Sequence, residues 1–316
     1  MDQPLIYKYK PKNLNDFNFE PDFKFILNKF IENDLLNILF VGDSGSCKTT
    51  LINIICKQYY GEEYDSNNVL IINSLKEQGI SYYRTEVKTF CQTICSIPNK
   101  KKIILIDDLD LINENSQQVF RNCLDKYSNN VNLIASCQNL QKIIETYQSR
   151  VTILKIKKFD KEFLIDKISE ICHNENIEID NESKKYLIDL SNNSIRTIIN
   201  YLEKFRLLGK KINKSLIISN CTNISLKFFN DYTEICKKNK IFEALKKINN
   251  LIDCGYSVID ILDNYFTYIK ICDILDEETK YKITILICKY ITKFYNLHED
   301  EIELAFFTNN LINLLK

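Results

Sequence analysis

The chain has few of the residues that interrupt regular structure. Its 316 residues include 6 Gly, 4 Pro, 1 Met and no Trp. Because glycine and proline are the strongest local breakers of helices and strands, their scarcity predicts regular elements joined by short loops. Hydrophobic residues make up 45% of the chain, enough for a sizeable globular core. A chain of this length commonly forms about two domains, or about three small ones.

A signal peptide, long apolar runs and closely paired cysteines are also missing. The longest apolar stretches are broken by Lys within about ten residues, so no segment is expected to span a membrane. The 12 cysteines include no C-x-x-C pair, which favours free thiols in a reducing compartment over a disulfide framework. We therefore expect a soluble, intracellular protein, with nucleus and cytoplasm both open.

Charge of either sign is not in excess. The 42 Lys and Arg residues balance 42 Asp and Glu residues, so the formal net charge is 0. Such a chain has no overall field that would attract nucleic acid or a membrane surface. Any contact with DNA must therefore rest on local groups of positive side chains.

The chain does contain a short apolar run that leads into a glycine loop, at residues 37–50. This stretch nearly fits the phosphate-binding pattern G-x-x-x-x-G-K-[ST], which starts here at Gly42 and ends at Lys48 and Thr49. Cys47 stands where the second glycine belongs. In such a loop, backbone N–H groups and the N-terminus of the next helix face a polyphosphate, while the threonine hydroxyl binds Mg²⁺. The alternative is an ordinary turn between a strand and a helix.

The residues expected to bind ATP within this loop are Gly42, Asp43, Ser44, Gly45, Ser46, Cys47, Lys48, Thr49 and Thr50. Four further apolar runs follow the loop, at 69–72, 103–106, 131–135 and 151–156. The first three are nearly continuous, as in strands buried on both faces. Helical patterns separate the runs, and this alternation predicts an α/β fold with a parallel sheet that binds its ligand at the carboxyl ends of the strands.

One of these runs ends in carboxylates, as a Walker B element does. After the apolar residues 103–106 come Asp107 and Asp108, followed by Asp110. A first carboxylate at such a strand end can hold Mg²⁺, and a second can polarise the attacking water. By position, Asp107 is the predicted metal residue and Asp108 the predicted base. The alternative is a solvated acidic turn.

Beyond residue 158 the hydrophobic pattern is helical. Asp160 and Ser194 are candidate N-caps of two amphipathic helices. A stronger amphipathic pattern begins at Ile241, and further helices are predicted up to residue 315. We therefore predict a nucleotide-binding domain at 1–157, a small helical lid at 158–221 and an all-α domain at 222–316.

Several segments resemble those of one family, the small subunits of the replication factor C clamp loader, which are AAA+ ATPases. The segments are Lys-Tyr-Lys-Pro at 8–11, Asn73 to Arg84, Ser-Gln-Gln at 116–118, Tyr-Ser-Asn at 127–129, Lys-Ile-Ile-Glu at 142–145 and Gln-Ser-Arg at 148–150. The resemblance implies a RecA-like AAA+ domain, a lid and a helical collar. It also implies ATP and Mg²⁺ as cofactors.

The resemblance further assigns roles to single residues. Tyr9 and Pro11 would lie beside the adenine, and Gln138 stands at the position of the family's sensor-1 asparagine. Two arginines would be catalytic: Arg150 as a finger that reaches the neighbouring subunit's γ-phosphate in trans, and Arg196 as sensor 2 of its own subunit. The residues that would follow template-strand phosphates are Arg84 and Lys142. The implied partners are sister subunits in a hetero-pentamer, a sliding clamp and primer-template DNA.

The departures from the family pattern leave the activity open. Cys47, Asp108, Gln138 and Gln78 each replace a family residue. A side chain in a glycine-only conformation costs roughly 1 to 3 kcal/mol, whereas a misplacement of about 1 Å in a catalytic group costs on the order of a hundredfold in rate. One hypothesis is a subunit that binds and hydrolyses ATP to load a clamp, and another is a structural subunit that binds nucleotide without hydrolysis. An unrelated AAA+ motor, such as a branch-migration helicase, is a third.

Overall fold

The computed structural model describes residues 3–73, 80–221, 224, 226–272, 274–294 and 298–315. Half of the family-like segment from Asn73 to Arg84, residues 74–79 with Gln78, lies outside these residues. The chain divides into two compact units, Met1–Ser219 and Asn220–Lys316. The division into three domains, with boundaries at 158 and 222, stays a prediction.

A five-stranded parallel sheet forms the centre of the first unit. Its strands are β1 Ile38–Val41, β2 Val69–Asn73, β3 Lys102–Asp107, β4 Val131–Cys137 and β5 Thr152–Lys155. Their order in the sheet is β2-β3-β4-β1-β5, and every pair of neighbours is parallel. The predicted parallel α/β sheet is confirmed.

The central strands are apolar because helices cover both faces of the sheet. In β3, Ile103 and Leu105 join the core on one face, whereas Ile104 and Ile106 join the core on the other. Successive side chains of a strand point to opposite faces, so a buried parallel strand needs a continuous apolar run. The expectation that 69–72 is buried on both faces is wrong: β2 lies at the sheet edge, and Ile71 is 63% exposed.

Short loops and helices connect the strands. The helices of the first unit are α1 Leu5–Lys8, α2 Pro21–Glu32, α3 Lys48–Tyr60, α4 Ile80–Tyr82, α5 Lys88–Gln92, α6 Glu114–Tyr127, α7 Glu145–Gln148, α8 Lys161–Asn174, α9 Asn181–Leu190, α10 Ile195–Leu208 and α11 Lys214–Asn220. A π-helical turn, Tyr83–Val87, joins α4 to α5. Ser194 caps α10, accepting a hydrogen bond from the backbone N–H of Thr197 at 3.5 Å. Asp160 is the N-cap residue of α8, although its side chain makes no capping hydrogen bond.

The second unit is helical throughout its described residues. Its helices are α12 Leu226–Lys237, α13 Ile241–Asp253, α14 Val258–Ile271, α15 Glu277–Phe294 and α16 Glu301–Leu315. A separate hydrophobic core includes the fully buried rings of Phe229, Tyr232 and Tyr265. The hydroxyl of Tyr232 lies 2.8 Å from that of Thr308, which satisfies two polar groups inside this core. The helices predicted beyond Ile241 are present, and α12 was not predicted.

Two sequence expectations concern the chain as a whole. In the described parts of the chain, no helix is both long enough and apolar enough to cross a membrane. All 12 cysteines are free thiols. Most of them are buried, as expected of small core residues.

Candidate nucleotide-binding site

The glycine loop joins the end of β1 to the start of α3. Cys47 is the N-cap residue of α3 and has φ 63° and ψ 23°, which is the left-handed conformation. Glycine adopts this conformation freely, whereas a residue with a Cβ does so at a cost. The loop therefore keeps the backbone shape of the glycine pattern although the residue has changed.

The loop lies close to the start of α10 and encloses its own lysine. At Gly45, φ is +80°, and a Cβ there would lie 2.5 Å from the Ser194 hydroxyl oxygen. Only glycine fits this close approach. The ammonium group of Lys48 is buried and donates hydrogen bonds to the backbone oxygens of Gly42 at 2.8 Å and Asp43 at 2.9 Å. The loop thus holds a positive charge where an incoming anion would meet it.

The remaining predicted loop residues line the same turn. The hydroxyl of Ser46 donates a hydrogen bond to the backbone oxygen of Asp43 at 2.8 Å. The carboxylate of Asp43 forms an exposed ion pair with Lys158 at 3.0 Å. Ser44 is exposed, and Thr50 is half-buried in the first turn of α3.

The predicted metal residues, Thr49 and Asp107, are in contact. The Thr49 hydroxyl lies 2.9 and 3.0 Å from the two carboxylate oxygens of Asp107. Ser136, which sequence reasoning missed, donates a hydrogen bond to the same carboxylate at 2.6 Å and accepts one from the backbone N–H of Asp108 at 2.9 Å. Ser136 is fully buried in β4 next to β3. Only the register of the two strands could have revealed it, because serine carries no signal alone.

This set of oxygen atoms suits Mg²⁺. Magnesium binds hard oxygen ligands and commonly takes few of them from the protein, the rest coming from water and phosphate. Thr49 and Asp107 would hold the ion, and Ser136 would orient the Asp107 carboxylate. Among the described residues, no group of three or more His, Cys, Asp or Glu side chains could hold a metal by itself. The site therefore fits an ion that arrives with a phosphate ligand.

Asp108 lies beside this pair in a strained backbone conformation. Its φ is 52°, in the left-handed region, which aspartate tolerates better than most residues. Burial raises the pKa of the Asp108 carboxyl, and the neighbouring Asp107 charge raises it further. A hydrogen bond with the Gln138 side chain acts in the opposite direction on this pKa. Gln138, which stands at the position resembling sensor 1, therefore contacts the predicted base.

A third carboxylate, Asp110, supports this corner. It accepts hydrogen bonds from the backbone N–H groups of Gln138 at 3.3 Å and Asn139 at 3.1 Å. These bonds tie the turn after β3 to the turn after β4. They fix the backbone that carries Gln138 opposite Asp108.

A cavity of about 550 Å³ opens between the loop, the chain segment before α2, and helices α8 and α10. Its lining includes Tyr9, Pro11, Gly45, Cys47, Thr50 and Arg196. A volume of several hundred cubic ångströms is typical of a small-molecule site. Arg196 is exposed in the first turn of α10. Its charge lowers the pKa of the Cys47 thiol, although burial is the larger effect and raises that pKa overall.

Three predicted site residues belong neither to the cavity lining nor to the hydrogen-bonded group of Lys48, Thr49 and Asp107. Arg150 donates a hydrogen bond to the Asp125 carboxylate at 2.6 Å and another to the backbone oxygen of Thr146 at 2.6 Å. Arg84, in the π-helical turn, and Lys142 are both exposed. The structure thus brings the loop, the carboxylates, Arg196, Tyr9 and Pro11 together, and it leaves Arg84, Lys142 and Arg150 on the surface of the first unit.

Comparison with known families matches both units. The ATPase family associated with various cellular activities (AAA) matches residues 38–159, and the replication factor C C-terminal domain matches residues 229–291. The rice protein replication factor C subunit 2, from Oryza sativa subsp. japonica, is 29% identical over 89% of this chain and 86% of its own length. A replication factor C small subunit of Methanococcus vannielii is 29% identical over 88% of this chain and 89% of its own.

A solved structure shows the same fold at lower similarity. The Thermotoga maritima RuvB Holliday junction branch migration motor superposes with a TM-score of 0.54 at 15% identity, covering 72% of this chain and 78% of that one. At this identity the likeness concerns the fold alone. Residues 38–159 therefore resemble the ATPase family associated with various cellular activities (AAA), and the chain resembles replication factor C subunits along most of its length.

Proposed function

We propose that this chain is the nucleotide-binding small subunit of a replication factor C-like clamp loader, and that it uses ATP binding and hydrolysis to load a sliding clamp onto primer-template DNA. One observation carries the proposal. The buried ammonium of Lys48 and the Thr49–Asp107 pair lie on the glycine loop and the strand end beside it. The same loop lines the cavity together with Arg196.

ATP would place its phosphates on the loop and its base in the cavity. The N–H groups at the start of α3 and the Lys48 ammonium would bind the phosphate oxygens. Lys48 would then give up its hydrogen bonds to the Gly42 and Asp43 carbonyls in favour of the phosphate. Tyr9 and Pro11 would form the wall beside the adenine. Mg²⁺, held by Thr49 and Asp107, would neutralise charge on the β- and γ-phosphates.

Hydrolysis would need groups from two subunits. Asp108 would orient the attacking water with Gln138 beside it, and Arg196 would reach the γ-phosphate from the lid side. Arg150 lies on the surface and outside the cavity of its own chain, a placement that suits a finger directed at a neighbouring subunit. The proposed assembly is a hetero-pentamer with sister subunits.

The other partners would be the clamp and DNA. The exposed side chains of Arg84 and Lys142 would contact template-strand phosphates. Because phosphate contacts release counterions and read no bases, DNA binding would weaken with salt and would not depend on sequence.

A second candidate function is a subunit of the same ring that holds nucleotide without hydrolysing it. Its support is the left-handed Cys47 at the loop and the shorter carboxylate of Asp108 paired with Gln138. Asp108 and Gln138 lie beside Asp107, where the γ-phosphate would be, and Cys47 lies on the loop that would hold the other phosphates. An unrelated branch-migration motor has less support, since the RuvB likeness is one of fold and the carboxyl-terminal match at 229–291 is to replication factor C.

The deciding experiment uses the assembled ring of sister subunits, with and without the clamp. We expect the chain to enter the ring, retain ATP and bind the clamp with the nucleotide present. Single-turnover hydrolysis is then measured with the finger that faces this subunit's site replaced by alanine. A fall of about a thousandfold at this site supports hydrolysis, and an unchanged rate supports the structural subunit. Failure of the pure chain and of the ring to bind ATP would contradict both.

A further inference from the structure

The segment before α2 is attached to two different parts of the first unit. At one end, α1 packs against α10 and its residue Leu5 is fully buried. The backbone N–H of Leu5 donates a hydrogen bond to the Glu203 carboxylate of α10 at 3.2 Å. At the other end Leu14 and Phe17 join the core that contains α2, α3 and the sheet. Residues 9–12, called the strap here, run between these attachments and line the cavity.

A single carboxylate fixes the start of the strap. Glu175, at the end of α8, accepts hydrogen bonds from the Lys8 ammonium at 2.7 Å, the Tyr9 hydroxyl at 2.8 Å and Arg206 of α10 at 2.9 Å. Its side chain is only 6% exposed. These bonds, the one from Lys8 first, lower the pKa of Glu175 to about 2 although burial opposes them. The carboxylate is therefore ionised at neutral pH and accepts hydrogen bonds from three side chains.

This carboxylate acts on the strap and not on the phosphate loop. Its partners are Lys8 in α1, Tyr9 in the strap and Arg206 in α10. The hydrogen bonds of the loop are instead to its own backbone, from Lys48 and to the end of β3. The hydroxyl of Tyr9 donates a hydrogen bond to Glu175, and Tyr9 also lines the cavity. A change at Glu175 would therefore move the wall and leave the phosphate end in place.

We propose that Glu175 is a positioning residue for the base end of the nucleotide: it fastens the strap to α8 and α10, so that α10, the helix that carries Arg196, also sets the wall formed by Tyr9. This inference rests on the proposed nucleotide site. It predicts that a change at Glu175, which would contact neither end of the nucleotide, weakens binding of the base and leaves binding of the phosphates unchanged.

The test compares two ligands on the full chain. ATP would occupy both ends of the site, whereas inorganic tripolyphosphate would occupy the phosphate end alone. We expect Glu175→Gln to weaken ATP binding about tenfold, since a charged hydrogen-bonding partner is lost, and to leave tripolyphosphate binding unchanged. Tyr9→Phe, which removes one hydroxyl, is expected to act in the same direction with a smaller effect.

The control is Glu182→Gln, in an exposed carboxylate of α9 that forms a long ion pair with Lys214 at 3.5 Å. It should change neither affinity. Equal weakening of both ligands by Glu175→Gln, or no weakening of either by Glu175→Gln and Tyr9→Phe, would overturn the inference. If wild type binds tripolyphosphate but not ATP, the base end does not exist and the inference fails. If wild type binds neither, the proposed function fails first.

Discussion

The two halves of the candidate site differ in how closely they keep to the nucleotide-binding pattern. In the phosphate half, Lys48, Thr49 and Asp107 are the expected residues, and each is held by hydrogen bonds. In the hydrolysis half, Asp108 and Gln138 are replacements, and Asp108 has a left-handed backbone conformation. Phosphate binding rests largely on backbone N–H groups and one cation, so it tolerates side-chain replacement. Hydrolysis depends on the placement of side chains to within about 1 Å.

Cys47 shows how the first half tolerates a change. Because its φ of 63° is one that glycine would adopt, the N–H groups at the start of α3 keep their direction. The expected penalty is strain of about 1 kcal/mol in the folded state, not a change of shape. The comparison therefore predicts large effects from charges in the phosphate half and a smaller one from the loop cysteine.

The largest effect is expected from Lys48→Ala. The buried ammonium is the main charge within the loop, and charge-assisted hydrogen bonds to phosphate are worth enough together to weaken ATP binding about a hundredfold. Calorimetric titration with ATP measures the change. The matched control is Lys57→Ala, an exposed lysine near the end of the same helix, and its affinity should be unchanged. A loss of less than threefold in Lys48→Ala would show that this half does not bind phosphate as argued.

The next effect concerns the other half. If Asp108 is only one methylene too short, Asp108→Glu should raise single-turnover hydrolysis in the assembled ring about tenfold or more, with little change in ATP affinity. Asp108→Asn is the control, since it keeps the size of the side chain and removes the base. Equal rates for wild type and both variants would mean that this carboxylate takes no part in turnover.

The comparison also shows what the sequence could reveal. Continuous apolar runs located β3 and β4, because a strand covered on both faces must be hydrophobic along its whole length. The same signal misjudged β2, since an edge strand of similar composition looks identical in sequence. The glycine pattern located the loop, and the position of Cys47 within that pattern matched its glycine-like backbone.

Other features depend on tertiary contacts. Ser136 acquires its place through the pairing of β4 with β3, and Glu175 through Lys8 and Arg206, far away in sequence. Neither has a local pattern. Helices α9 and α12 were also not predicted, but α12 does carry a local pattern, since its buried residues Phe229, Tyr232 and Cys236 lie on one helical face.

A smaller effect is expected at the loop cysteine. Cys47→Gly and Cys47→Ala both remove the thiol, but alanine keeps the Cβ in the left-handed conformation. The glycine variant should therefore be more stable than the alanine variant by about 1 kcal/mol, measured by urea unfolding. Both should bind ATP within about threefold of wild type, since the backbone N–H groups stay in place. ATP binding gained only in the glycine variant would show that the cysteine blocks the phosphate half.

The smallest expected effect is the pH dependence of the stability that Glu175 gives to the base end of the site. The folded chain lowers the pKa of Glu175 from 4.5 to about 2, so the ionised carboxylate stabilises the fold fully above pH 4.5. Between pH 4.5 and about 2 the unfolded state binds the proton first, and this contribution is lost as pH falls. The difference in unfolding free energy between wild type and Glu175→Gln should therefore be constant near neutral pH and shrink through that window.

The charged and titratable side chains around Glu175 are Lys8, Tyr9, Arg206 and, paired with Arg206, Glu203. Because Glu203 is the second carboxylate of this group, Glu203→Gln serves as the control. A difference that grows as pH falls would mean that Glu175 is held in its protonated form, and the strap would then lack the ion pair that fastens it.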